Sequence, residues 1–190
     1  MSFKRATSKI RIGSLDVGGG AEGSDHTVVA QYNPGTLEVS QNVPWKKPDA
    51  ATQAGGQGGT TGTAAKPKSK KDENYMALEF TGAEGRSITV EMLFDGYETD
   101  GEMGDGVSVS DAVKRLEKLA RVRDPSSDED TLRRPHHCVV VWGGVLPRFE
   151  CVIESLTTKY TMFSPEGEPL RATCTVKLKE AKRVDKEKGK

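Results

Sequence analysis

Apolar and polar residues alternate along most of this chain. Ile10 and Ile12 alternate with Lys9 and Arg11. Val28, Ala30 and Tyr32 run into Asn33-Pro34-Gly35, a turn signal, and Leu37 and Val39 resume the pattern beyond it. Met76, Leu78 and Phe80 alternate, then Ile88, Val90, Met92 and Phe94, then Phe149, Cys151 and Ile153. The longest set is Leu170, Ala172, Cys174, Val176 and Leu178, interleaved with Arg171, Thr173, Thr175, Lys177 and Lys179. A period of two gives each strand one buried and one exposed face. Ser164-Pro165-Glu166-Gly167 is predicted to close a hairpin between the last two long strands. One segment has a helical period. From Ser110 to Val122 the residues Ala112, Val113, Leu116, Leu119 and Ala120 form one stripe, with Lys114, Arg115, Glu117 and Lys118 opposite. Ser108 or Ser110 can cap this helix, Asp111 suits its first turn, and Asp124-Pro125 ends it. Many antiparallel strands with a single helix predict a mainly β fold, a small barrel or a sandwich with the helix packed on it.

Between these elements the pattern stops. Lys46 to Glu73 holds Gly55-Gly56-Gln57-Gly58-Gly59-Thr60 and Lys66-Pro67-Lys68-Ser69-Lys70-Lys71, with no strong apolar anchor. Such a stretch cannot offset the entropy cost of ordering itself, so it is read as a flexible basic loop inserted in one folded domain, 1–181. Binding to a partner with an acidic surface would supply the contacts it lacks. The tail 182–190 is nearly all charged and is expected to be solvated.

Composition narrows the function classes. The chain has 190 residues, and 28 Lys and Arg balance 28 Asp and Glu. A neutral chain is not built as a dedicated nucleic-acid binder. The longest apolar run, around Val139–Trp142, is far too short to span a membrane, and the charged start of the chain does not read as a secretory signal. Three cysteines, an odd number, all in apolar strand contexts, fit inert thiols in a reducing compartment better than a disulfide framework.

The candidate chemistry is thin. His136-His137-Cys138 is the one His cluster, but neighbours on a strand face opposite ways, so no metal site is expected. The acidic loop Asp95–Gly106 lacks the spacing of a calcium loop. The Gly55–Thr60 run lacks the Lys-Ser/Thr ending of a phosphate loop. No activated nucleophile is visible. No catalytic residue, cofactor or metal is therefore assigned.

Several phrases together carry a resemblance. They are Gln31-Tyr32-Asn33-Pro34 with Leu37-Glu38-Val39-Ser40; Leu93-Phe94-Asp95-Gly96-Tyr97; Val140-Val141-Trp142-Gly143; Phe149 to Leu156; and Tyr160-Thr161-Met162-Phe163 running through to Pro169-Leu170-Arg171-Ala172. In order and spacing, over residues 7 to 181, this resembles the contractile injection system tube protein family, specifically the N-terminal domain of adaptors that join inner tube to spike in phage-tail-like particles. The family's LysM module is not part of the match. The resemblance implies a phage tail-tube-like antiparallel β-barrel with one packed helix, and a ring, hexameric in the family. It implies an inner tube protein, a spike or hub and other baseplate proteins as partners, without nucleic acid or membrane. It also implies assembly in the cytoplasm into a particle that is retained or released. The interface residues expected are Trp45, Trp142, Tyr160, Met162, Phe163, Pro169 and Arg171. Two alternatives stand beside the adaptor: the main inner-tube subunit, and a stand-alone module for cell wall or carbohydrate. The second needs an exposed aromatic platform, whereas Phe80, Phe94 and Phe149 are expected on apolar faces and only Trp45 stands apart.

Overall fold

The alternating runs become strands in the computed structural model, which describes residues 9–18, 25–46, 78–97 and 107–182. The chain divides into two units, Met1–Ser40 with Gly85–Lys190, and Gln41–Glu84. The larger holds β1 (Arg11–Ser14), β2 (Thr27–Val29), β3 (Leu37–Ser40), β6 (Ser87–Asp95), α1 (Val109–Ala120), β7 (Cys138–Trp142), β8 (Leu146–Phe163) and β9 (Pro169–Glu180). The smaller holds β4 (Trp45–Lys46) and β5 (Glu79–Phe80). The inserted loop expected over 46–73 lies, beyond Lys46, outside the described residues. So does the tail beyond Lys182.

The seven strands of the larger unit form one sheet in the order β2-β1-β7-β8-β9-β6-β3, and every pairing is antiparallel. Their registers put the apolar sets on a common face. Ile12 lies opposite both Val28 and Val140, Val140 opposite Phe149, Ile153 opposite Leu178, and Leu178 opposite Ile88. A bulge between Ile153 and Ser155 preserves this face. Glu154 is the extra residue there, and beyond it the inward positions shift to Leu156, Thr158 and Tyr160, opposite Val176, Cys174 and Ala172. The mainly β fold holds, with one helix among the described residues. Barrel closure is corrected: among the described residues no ladder joins the edge strands β2 and β3, and the sheet is open along its backbone.

Helix α1 lies across the apolar face. Val109, Ala112, Val113, Leu116 and Leu119 are buried in the same cluster as the strand residues. The helix spans Val109–Ala120, one residue earlier at its start and two shorter at its end than the expected Ser110–Val122. Ser108 is the cap and accepts the Asp111 N–H at 3.0 Å. Arg121 leaves the helix in an extended conformation, because Arg123 and Asp124 donate their N–H groups to Arg134 and Leu132. Asp16 fastens the segment after the helix to the end of β1. Its carboxylate accepts from both Nη atoms of Arg134 at 3.0 Å and from the His137 N–H at 2.8 Å. Burial raises the pKa of Asp16, but Arg134 and the His137 N–H outweigh that and hold it below the usual range.

The three thiols are buried and free. Burial pushes Cys138 up to about 12 and raises Cys151 and Cys174, so all three stay neutral packing groups. Close approach fixes one glycine. A Cβ on Gly85 would meet the Glu180 carbonyl oxygen at 2.8 Å, beside the fork of Arg86 on the Glu180 carboxylate.

In the smaller unit β4 and β5 form a two-stranded ladder, with Trp45 opposite Phe80 and ring centroids 5.4 Å apart. Phe80 is corrected here: it is 51% exposed, and Trp45 is 56% exposed. A two-residue pairing is by itself too small to bury an aromatic face. Phe94 and Phe149 are buried as expected.

Leu116 is fully buried between helix and sheet. Leu116→Ala should cost about 2–5 kcal/mol, seen as a lower denaturation midpoint with an unchanged slope.

Candidate functional site

Three of the sequence phrases meet at one end of the sheet. Gln31 follows β2, at one end of the strand order, and Asp95 ends β6, near the other. The Gln31 side-chain amide donates from Nε2 to the Asp95 carbonyl at 2.7 Å, and its Oε1 accepts the Asp95 N–H at 2.6 Å. A glutamine thus imitates one rung of a ladder between strands that do not pair. Two residues on, Asn33 accepts the Ile10 N–H through Oδ1 at 3.0 Å. The Asp95 carboxylate turns outward, accepting from Arg171 of β9 and from the Tyr97 N–H at 3.1 Å. Arg171 lies directly opposite Asp95 in the register. The Arg171 hydrogen bond holds Asp95 below its ordinary value, and Asp95 in turn raises Arg171, on which Tyr32 and Tyr97 also act electrostatically. The buried Arg171 Nε–H has no acceptor among the described residues. Tyr32 and Tyr97 are both more than half exposed.

Next to this cluster the β8–β9 hairpin runs on past the end of β6. Ser164 shapes its turn by accepting the N–H groups of Glu166 and Glu168 at 3.2 Å, and Gly167 takes the left-handed conformation with φ 87°. Met162 also has positive φ, 60°, which is strained for a residue with a side chain. Met162 and Phe163 both stand exposed at the tip, and Tyr160 is 39% exposed on the helix side. Burial, with Glu117 of α1 nearby, raises the Tyr160 hydroxyl pKa.

Of the seven expected interface residues, Tyr160, Met162, Phe163, Pro169 and Arg171 lie together in this hairpin end. Pro169 faces Phe163 across the ladder, and Arg171 faces Thr161. Trp142 lies elsewhere, partly buried at the core margin opposite Leu146. Trp45 belongs to the other unit. Gln31, Tyr32, Asp95 and Tyr97 were not singled out as interface residues from the sequence, although each sits within a phrase that carried the resemblance.

The backbone of β8 adds a further feature. β7 pairs with β8 only as far as Cys151, whereas β9 pairs with it from Cys151 to Phe163. From Val152 to Phe163, among the described residues, β8 therefore has a ladder on one side only. This edge is longer than either terminal strand of the sheet. An unpaired edge flanked by exposed apolar side chains is a template for strand addition.

A comparison with family models agrees with the resemblance. Residues 6–189 match the contractile injection system tube protein model. The chain belongs to that family, whose members are structural tube components that assemble with other parts of the injection system. No curated protein matches the chain.

Asp95 gives a test of the cluster. Its depressed pKa means that its ion pair stabilises the fold above the ordinary carboxylate range near 4, and that this contribution is lost as pH falls through the lower folded value. The pair is partly exposed, so the effect should be about 1 kcal/mol or less. Asp95→Asn should flatten this part of the acid limb in pH-dependent denaturation.

Proposed function

We propose that this protein is a ring-forming adaptor that joins the inner tube of a contractile injection system to the baseplate spike or hub, without a catalytic role. The observation that carries the reading is the open β8 edge from Val152 to Phe163, with Tyr160, Met162 and Phe163 exposed at its end. A ring closes through head-to-tail contacts, so each subunit must offer two different complementary surfaces. The β8 edge with its hairpin tip is one such surface. The short outer strands β2 and β3 lie at the far ends of the sheet order and offer the other. The resemblance implies a hexameric ring, and six copies are the proposed number here. The inner tube protein stacks on one side of the ring and the spike or hub on the other. Assembly takes place in the cytoplasm, and the finished particle is retained or released. The inserted loop 46–73 is assigned to docking on a neighbouring component. Among the described residues no helix is long and apolar enough to cross a membrane.

A main inner-tube subunit would use the same edge, and copy number separates the two roles. Labelled protein in electron micrographs of purified particles should mark one ring at the baseplate end; label along the whole tube would assign the chain to the tube itself. One observation favours a second class, a carbohydrate or cell-wall module: the exposed Trp45–Phe80 pair is an aromatic platform. Cell-wall pull-down that depends on Trp45 would support it.

Phe163 is 58% exposed, so Phe163→Asp should leave the monomer folded, with a melting temperature within a degree or two of the parent. The charge would nonetheless have to be buried in a ring contact, and incorporation into particles should fall at least about tenfold. Normal incorporation of the variant would remove the tip from the interface.

A further inference from the structure

A cavity of about 580 Å³ lies between the second half of α1, the segment that follows it, and His26 and His136. Its wall carries Lys114, Lys118, Arg121 and Arg123 against only Glu117 and Asp124. Most of these charges are matched. Arg121 pairs with Glu117 at 3.5 Å, Arg123 with Asp16 at 3.8 Å and Lys114 with Asp111 at 3.6 Å, while Ser126 donates to the Asp124 carboxylate at 2.7 Å. Lys118 has no ion pair among the described residues, and its charge reaches both histidine rings.

His136 is 4% exposed, and its hydrogen bonds fix its tautomer. Ser14 Oγ accepts the N–H groups of Asp16 and Val17 at 3.2 and 3.1 Å. Its own proton is therefore the one that goes to His136 Nδ1, 2.8 Å away. With Nδ1 an acceptor, the neutral ring carries its proton on Nε2. Nε2 has no hydrogen-bond partner among the described residues, and the ring lines the cavity beside that of His26, centroids 5.3 Å apart. The wall therefore presents an N–H donor and an ammonium group, and neither has an acceptor among the described residues.

We propose that this cavity is an oxyanion site, in which a carboxylate or phosphate group accepts from His136 Nε2–H and pairs with Lys118. Burial, followed by the charges of Arg123, His26 and Lys118 and opposed by Asp16, holds His136 at about 4, so at neutral pH the ring donates as a neutral imidazole. A bound anion favours the protonated ring, so binding raises the pH at which His136 titrates, and acidification strengthens binding by the same linkage. The group comes either from a free ion or from an acidic side chain of an assembly partner. The chemistry at the wall is the same in both cases.

The test uses the full chain labelled with ¹⁵N-histidine and long-range ¹H–¹⁵N spectra, with inorganic phosphate and a triglutamate peptide as separate probes. His136 should show the Nε2–H tautomer. At least one probe should move its Nε2 signal saturably, and the probe that saturates at the lower concentration identifies the source as free ion or acidic side chain. Lys118→Gln, at an exposed helix position, should keep the melting temperature and weaken that binding about tenfold. An Nδ1–H tautomer, no shift with either probe, or binding unchanged in Lys118→Gln would each overturn the proposal.

Discussion

A seven-stranded sheet with one apolar face has to hide that face. Six strand spacings make it about 29 Å wide, and a twelve-residue helix is only about 18 Å long. The helix alone does not cover the sheet, so the sheet must also curl toward itself. Gln31 records that curl, because it joins the chain just after β2 to the last residue of β6, across the ends of the strand order. Closure comes from a side-chain amide and the Asn33 tether instead of a ladder. The buried cluster then takes residues from every strand of the seven-stranded sheet except β3, with Leu37 packed on its margin.

The β8–β9 hairpin is the spine of this arrangement. β9 carries β6 and, through it, β3; β8 carries β7, β1 and β2. The bulge at Glu154 keeps the apolar side of the long strand facing the helix, and Lys177 pairs with the Glu154 carboxylate at 2.8 Å. Because β7 leaves β8 at Cys151, the same strand that organises the core has, among the described residues, an unpaired edge beyond it. The hairpin must be long to pair β6 along its whole length, and β8 and β9 go on pairing past the last β6 residue, Asp95.

Much of this was legible in the sequence. Strands and helix followed from their periods, since burial on one face leaves a direct imprint on residue order. The Leu170–Leu178 alternation read correctly because every inward position is apolar. The continuation of β8 did not read so clearly, because an inserted residue reverses the parity and the inward set then includes Thr158. The exposure of Phe80 was illegible for another reason: alternation marks an apolar face without saying whether another layer covers it. The Gln31–Asp95–Arg171 cluster joins residues 64 and 76 positions apart, and His26 and His136 lie still farther from each other along the chain. Local pattern carries no trace of such contacts. The phrase-level resemblance pointed to the first cluster without giving its geometry; the sequence singled out His136 but gave no sign of its neighbour His26.

Amide hydrogen exchange along Val152–Phe163, compared between the isolated protein and the assembled particle, tests the open edge most directly. In the isolated chain the amides that face β9 should be protected and the alternate ones, which face away from it, should exchange freely. Assembly through this edge should protect the alternate amides as well. Free exchange of those amides in the intact particle would contradict strand addition at β8 and move the ring contact elsewhere.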